Sequence, residues 1–147
     1  MDRINLQAKT KALPGVIECY AAQSPHTRAR EARIHRLMIP LQLFDSGLDY
    51  EEQPVDTVLL FDHYLLKLSA PGELGGLNLS HDYYPDAEAS VYLGNAHNRC
   101  EVERLELEHI QSNEFKVSGD LLIDFENEMV AENERFSFVT TAAYQVA

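Results

Sequence analysis

The sequence has no tryptophan, only two cysteines and three methionines, and half as many basic as acidic side chains. The missing tryptophan by itself excludes nothing. Cys19 and Cys100 lie far apart and in no metal-ligand spacing, which excludes a structural zinc site built from cysteine pairs. A domain of 147 residues needs no covalent staple, so both thiols are expected to be reduced and at least partly buried. No apolar run approaches the roughly 20 residues that cross a bilayer as a helix. The first ten residues alternate polar and apolar types and contain no apolar h-region, so no secretory signal is expected and the default compartment is cytoplasmic.

Catalytic signatures are also missing. Gly72, Gly75 and Gly76 form neither a Gly-x-Gly-x-x-Gly nor a Walker pattern, and no Gly-x-Ser-x-Gly elbow occurs. The histidines at 26, 35, 63, 81, 97 and 109 form no His-x-His or His-x-x-x-His pair. His97 precedes Cys100 by three residues, a spacing that reads as coincidence rather than as an activated thiol. His63, inside an apolar segment, is the histidine expected to be buried.

What is present is apolar content and acid. The hydrophobic fraction is 45 %, with six Phe and seven Tyr, enough for one packed domain over residues 1–147. The net charge is −12. Residues 1–40 hold seven basic and three acidic side chains, a balance of +4, so the remainder carries −16. Such a surface repels nucleic acid and anionic lipid and attracts cationic partners.

The organising stretch is Arg99 to Val146. Phe115, Val117, Gly119, Leu121, Ile123 and Phe125 share one face, and Phe136, Phe138, Thr140, Ala142, Tyr144 and Val146 repeat that period of two. Ahead of it, Leu105 and Leu107 face in. Val102 falls on the wrong parity, which predicts a bulge near Glu103. Upstream, strands are expected over 16–22, over 34–44 with Pro40 at an edge or bulge, and around Ala89, Val91 and Leu93, ending at Gly94-Asn95. His97-Asn98 reads as the turn into the C-terminal sheet. Residues 57–68 read as a strand buried on both faces, with a helix as the alternative. Residues 1–12 fit a strand or a frayed helix, and residues 24–33, opened by Ser24-Pro25, fit a short helix or an Arg-rich loop. Residues 45–56 form an acidic exposed loop. Residues 69–86, with Pro71-Gly72, Gly75-Gly76 and Pro85, form a long loop of the Ω type, the first place to look for a binding site. The fold expected is mainly β: an antiparallel β-sandwich or open barrel of six to seven strands with at most one or two short helices.

Function is expected to follow from the acid. Glu106, Glu108, Asp120, Asp124, Glu126 and Glu128 fall outward on the C-terminal sheet and are the candidate partner-binding residues. Carboxylates two apart on a strand stand about 6–7 Å apart. That spacing would suit Ca²⁺ or a glycosidase pair, but the sequence has no calcium-loop motif and little sign of an aromatic-lined cleft, so neither a catalytic residue nor a metal or other cofactor is assigned. The expectation is a non-enzymatic module for a protein partner with a basic surface, binding neither nucleic acid nor membrane. By analogy of charge and architecture, bacterial immunity proteins and similar inhibitors set carboxylates into a basic cleft. The alternatives are an assembly protein forming homo-oligomers through a sheet edge and the Arg28, Arg30, Arg33, Arg36 cluster, and a small metal-dependent enzyme or ligand-binding protein built on residues 69–86 with His81, Asp82 and Tyr84.

Overall fold

Seven strands follow one another as neighbours and close on themselves. The computed structural model describes residues 2–20 and 33–146, and the Ser24-Pro25 helix signal with Arg28 and Arg30 lies outside them. The elements are α1 (Leu6–Lys9), β1 (Gly15–Tyr20), β2 (Arg33–Pro40), β3 (Val58–Leu66), β4 (Glu88–Leu93), β5 (Ala96–Gln111), β6 (Glu114–Ile123) and β7 (Glu134–Val146). Short 3₁₀ turns stand at Pro71–Leu74 and Glu126–Glu128. Each strand pairs antiparallel with the next, and β7 pairs parallel with β1 to close the barrel. The parallel seam is a matter of parity: in a meander of seven alternating strands, the first and last run the same way. The mainly β expectation therefore holds, but the sheet is a closed barrel rather than a sandwich or an open barrel.

The inward residues are those the period of two selects. Phe115, Val117, Leu121, Ile123, Phe136 and Phe138 are buried with Ile17, Leu37, Ile39, Leu59, Phe61, Val91 and Leu105. The bulge expected near Glu103 is present: Val102 faces Leu121 and Arg104 faces Asp120, which leaves Glu103 unpaired. A second irregularity lies between His109 and Gln111. Such insertions increase the coiling of a strand and help a sheet curl shut.

Other expectations are corrected. β3 is a strand but buried on one face only: Leu59, Phe61, Tyr64 and Leu66 point in, while Val58 and Leu65 are exposed. The periodicity is blurred because β3 places Asp62 and His63 opposite the single Arg36, and the inserted residue switches the parity. His63 sits there at φ 64 and is exposed, not buried. The turn before β5 is Gly94-Asn95, both left-handed as a two-residue hairpin requires, and His97 and Asn98 already belong to the strand. β2 stops at Pro40. Phe44 rather than Leu43 then reaches the core. The first twelve residues contain the short helix α1.

Residues 69–86 form a long, largely exposed connection, as expected, but it is pinned to the barrel along part of its length. Gly76, Leu79 and His81 donate backbone bonds to the Leu107, Leu105 and Val102 carbonyls. The segment thus lies along β5 beyond the reach of the shorter β4. Leu74, Leu79 and Ser80 are buried, and the Tyr64 hydroxyl donates to the Leu79 carbonyl at 2.7 Å.

Strand alternation sorts the connections between the two ends of the barrel. The N-terminal segment, residues 41–57, the Gly94-Asn95 turn and residues 124–133 share one end. Ile4, Leu6, Phe44, Leu48, Val55, Phe125, Val130 and Ala131 plug it with apolar side chains.

Candidate functional site

The six candidate acids separate into two groups. Glu106, Glu108 and Asp120 stand on the β5–β6 wall, where bases answer them. Arg104 Nε donates to Asp120 Oδ2 at 2.8 Å, its Nη1 lies 3.7 Å from Glu106, and Ser137 Oγ donates to Asp120 Oδ1 at 2.7 Å. The bond from Arg104, then that from Ser137, holds the Asp120 carboxyl below its usual range. Glu108 is the cross-strand partner of Lys116, and Arg135 pairs with Glu103 nearby. This wall mixes both signs.

Asp124, Glu126 and Glu128 have left the sheet. β6 ends at Ile123 and the chain turns into the 3₁₀ segment, so their shared strand parity has no meaning there. They lie at the plugged end with acids that sequence parity did not connect to them: Asp45, Asp49, Glu51, Glu52 and Asp56 from the β2–β3 connection, Glu132 and Glu134 beside β7, and Asp2. Against these eleven carboxylates stand Arg3, Lys9 and Lys11, a formal balance of −8 out of −12 for the whole chain. Meander topology was the signal that could have found this: connections two strands apart in order emerge at the same end.

Some of these acids brace the end. Glu134 is buried and accepts from the backbone N–H of Asn5 at 3.1 Å and Leu6 at 2.8 Å, doing for α1 what no capping side chain does. Glu51 accepts from Gly94 N–H and from Ser46 Oγ, each at 2.7 Å, joining the β2–β3 connection to the β4–β5 turn. Glu126 and Asn133 exchange backbone-to-side-chain bonds at 2.9 and 3.0 Å, and Asp124 accepts from Asn127 N–H at 3.1 Å. Asp49, Glu52, Asp56, Glu128 and Glu132 are exposed.

Two large apolar side chains project among them. Met129 follows Glu128 at φ 56 and is 84 % exposed, and Tyr50 is 55 % exposed. Partial burial and then the carboxylates of Glu51, Asp2 and Asp49 raise the Tyr50 phenol above its ordinary range. A Cβ at Gly94 would lie 2.6 Å from Val130 and 3.1 Å from the Tyr50 hydroxyl, so Tyr50 and the Met129-Val130 tip converge over the hairpin turn. Exposed carboxylates thus surround an exposed aromatic and an exposed methionine at this end.

The other candidates serve the fold. His81 Nδ1 accepts from Val102 N–H and its Nε2 donates to the Ala87 carbonyl, both at 3.0 Å, so both ring nitrogens are engaged. Tyr84 packs edge-on against Tyr64 at 5.6 Å, and Asp82 is exposed. A groove of about 670 Å³ beside them is lined by His81, Glu88, Ser90, His97, Arg99 and Glu101 among others. His97 points outward against Tyr92 and Cys100 points inward, so the two do not meet. Burial pushes the Cys100 thiol up to about 12. Inside the barrel, His35 is buried, and burial lowers its pKa. Its Nε2 lies 3.5 Å from the Tyr144 hydroxyl, whose pKa burial and then the Cys19 thiol raise to about 12. Among the described residues no three of His, Cys, Asp and Glu gather as a metal site, and no helix is long and apolar enough to cross a membrane. No family model, curated protein or solved structure matches this chain.

Proposed function

We propose that this chain is a non-enzymatic binding module that engages a protein partner through a basic surface, in the manner of an inhibitor that occupies a cationic cleft. One observation carries the reading: about two-thirds of the net charge is concentrated at one braced end of the barrel, around exposed Tyr50 and Met129. The field of that end would speed encounter with a cationic surface, and the two apolar side chains would supply the contact that slows release. Asp124, Glu126 and Glu128 belong to this surface with Asp49 and Glu52. Glu106, Glu108 and Asp120, set among bases on the wall, contribute to the long-range field.

The test compares the immobilised chain with a variant carrying Asp49→Asn, Glu52→Gln, Glu126→Gln and Glu128→Gln. The native chain should retain basic proteins from a lysate at about 50 mM salt and release them by about 500 mM, where charges are screened beyond a few ångströms. The variant should retain few of them. An identical retained set on both columns, or retention indifferent to salt, refutes the proposal.

A further inference from the structure

The groove between the 81–87 stretch and the β4–β5 ladder holds charges of both signs that the protein does not pair. Its floor is the outward face of the two strands, where Ser90 stands opposite Arg99. Its side is the chain from His81 to Ala87, pinned through both ring nitrogens of His81. Arg36, Arg104 and Arg135 each pair with a carboxylate, whereas Arg99 pairs with none among the described residues. Asp124, its neighbour on the β6 side, donates its backbone N–H to the Arg99 carbonyl and turns its own carboxylate to the Asn127 N–H at 3.1 Å. Two residues along the same face of β5, Glu101 is left in the opposite condition. Its Oε2 lies 3.4 Å from His81 Nδ1, which already accepts from the Val102 N–H and so carries no proton. Two acceptors face each other there, a contact that a donor placed beside them relieves. Glu88 lines the same end of the groove.

We infer that this groove binds a lysine-like ligand, one carboxylate and one ammonium joined by a short aliphatic stem, either as the free amino acid or as the last residue of a peptide. Arg99, with the Ser90 hydroxyl opposite, takes the carboxylate on its two-pronged guanidinium. Glu101 and Glu88 take the ammonium. Same-face residues two apart on a strand stand about 6–7 Å apart, an interval that the four-carbon stem of lysine covers. Charge decides against simpler ligands. A bare anion such as phosphate meets a chain of net charge −12 and two carboxylates in the groove itself. A bare cation leaves Arg99 unanswered and finds denser acid at the plugged end of the barrel. A ligand carrying both signs satisfies both ends of the groove. The volume of about 670 Å³ also lies within the range of small-molecule sites.

A chemical-shift titration of the full chain by NMR, with Nα-acetyl-lysine as the first probe, tests the inference. A ligand with roughly a dozen non-hydrogen atoms should bind here with a dissociation constant of about 1 mM. Capping the carboxylate as an amide, or using acetyl-norleucine, which lacks the ammonium, should each weaken binding at least about 10-fold. Arg99→Gln should erase the difference between acid and amide, and Glu101→Gln the difference between lysine and norleucine. Both residues are exposed, and far-UV circular dichroism matching the native chain would show the variants folded. Free lysine and a tripeptide ending in lysine separate the two sources. Tighter binding of the first assigns the groove to a free amino acid, and of the second to a peptide end; either supports the inference. The four-site amide variant of the acidic end should bind Nα-acetyl-lysine as the native chain does, so failure of the protein-partner reading is distinguishable from failure here. Absence of any shift at about 10 mM probe overturns the inference. So does equal affinity for the acid, amide and norleucine forms, or an affinity that both substitutions leave unchanged in folded protein.

Discussion

Gly119 sits in the middle of β6, where glycine is a poor strand former, and Gly119→Ala sets two effects of opposite sign against each other. Replacing a glycine that holds no unusual backbone angle reduces the freedom of the unfolded chain and stabilises by about 0.4–1 kcal/mol. At this position, however, an added Cβ would stand 2.8 and 3.0 Å from two ring carbons of Phe138 and 3.1 Å from the Arg104 carbonyl. The ring has little room to retreat. Phe138 is packed with Phe61 at 6.1 Å and Phe136 at 6.3 Å, in the interior of a closed barrel. Overpacking of this kind costs about 1–3 kcal/mol, so the steric effect wins and the net change should be a loss of roughly 1–2 kcal/mol. Urea unfolding followed by circular dichroism would read it directly, and a thermal melt should shift down by roughly 2–8 °C for a domain this size. Phe138→Leu alone would destabilise by leaving a void. Combined with Gly119→Ala it should recover part of that loss, because the new methyl then has space. A Gly119→Ala variant as stable as the native chain, or more stable, would refute the reasoning, as would strict additivity in the double variant.

Asn98 Nδ2 lies within 3.2 Å of the Val91, Leu93 and Ala96 carbonyls, so Asn98→Asp, which removes the donor and buries a charge against three acceptors, should cost about 3–5 kcal/mol in urea unfolding. Glu134→Ala leaves the Asn5 and Leu6 amides without their acceptor; hydrogen exchange should show the N-terminal segment opening, with a loss of about 1.5–3 kcal/mol. Burial holds the folded pKa of His35 below its unfolded value of about 6.5. The folded state therefore binds fewer protons, and stability present above that pH is lost as pH falls through it. His35→Gln should flatten the dependence of the urea midpoint between about pH 7 and pH 5, and an unchanged slope would remove His35 as its source.

The strands were legible where one face is apolar and the other is not. The two halves of the C-terminal hairpin could be read residue by residue, and even the Glu103 bulge showed itself, because Val102 is apolar on the wrong parity. Residues 57–68 were harder because the insertion at His63 shifts the inward set from Leu59 and Phe61 to Tyr64 and Leu66. An apolar context for His63 suggested burial, yet the bulge turns it outward. Closure was hidden for a different reason. The parallel seam joins Gly15–Cys19 to Ala142–Val146, and nothing local to either segment names its partner. The same nonlocality misplaced the acids. Parity put Asp124, Glu126 and Glu128 on a sheet face with Glu106 and Asp120, although the chain bends away after Ile123.

The way the acidic end is built argues that its charge is not merely a solubilising coat. A coat would be spread over the surface, and its members would be interchangeable. Here Glu134 ties the N-terminal segment to the start of β7, Glu51 ties the β2–β3 connection to the β4–β5 turn, and Glu126 closes its own connection on Asn133. Asp49, Glu52, Asp56, Glu128 and Glu132 are among the carboxylates that remain exposed beside them, where mutual repulsion opposes folding. Packing alone would favour neutral residues at those five places. The braced loops also keep Met129 in a left-handed backbone conformation and nearly fully exposed, a placement that core formation does not require. Retaining repulsive charge and an exposed methionine on a rigid frame makes physical sense if a cationic, partly apolar surface is there to relieve both.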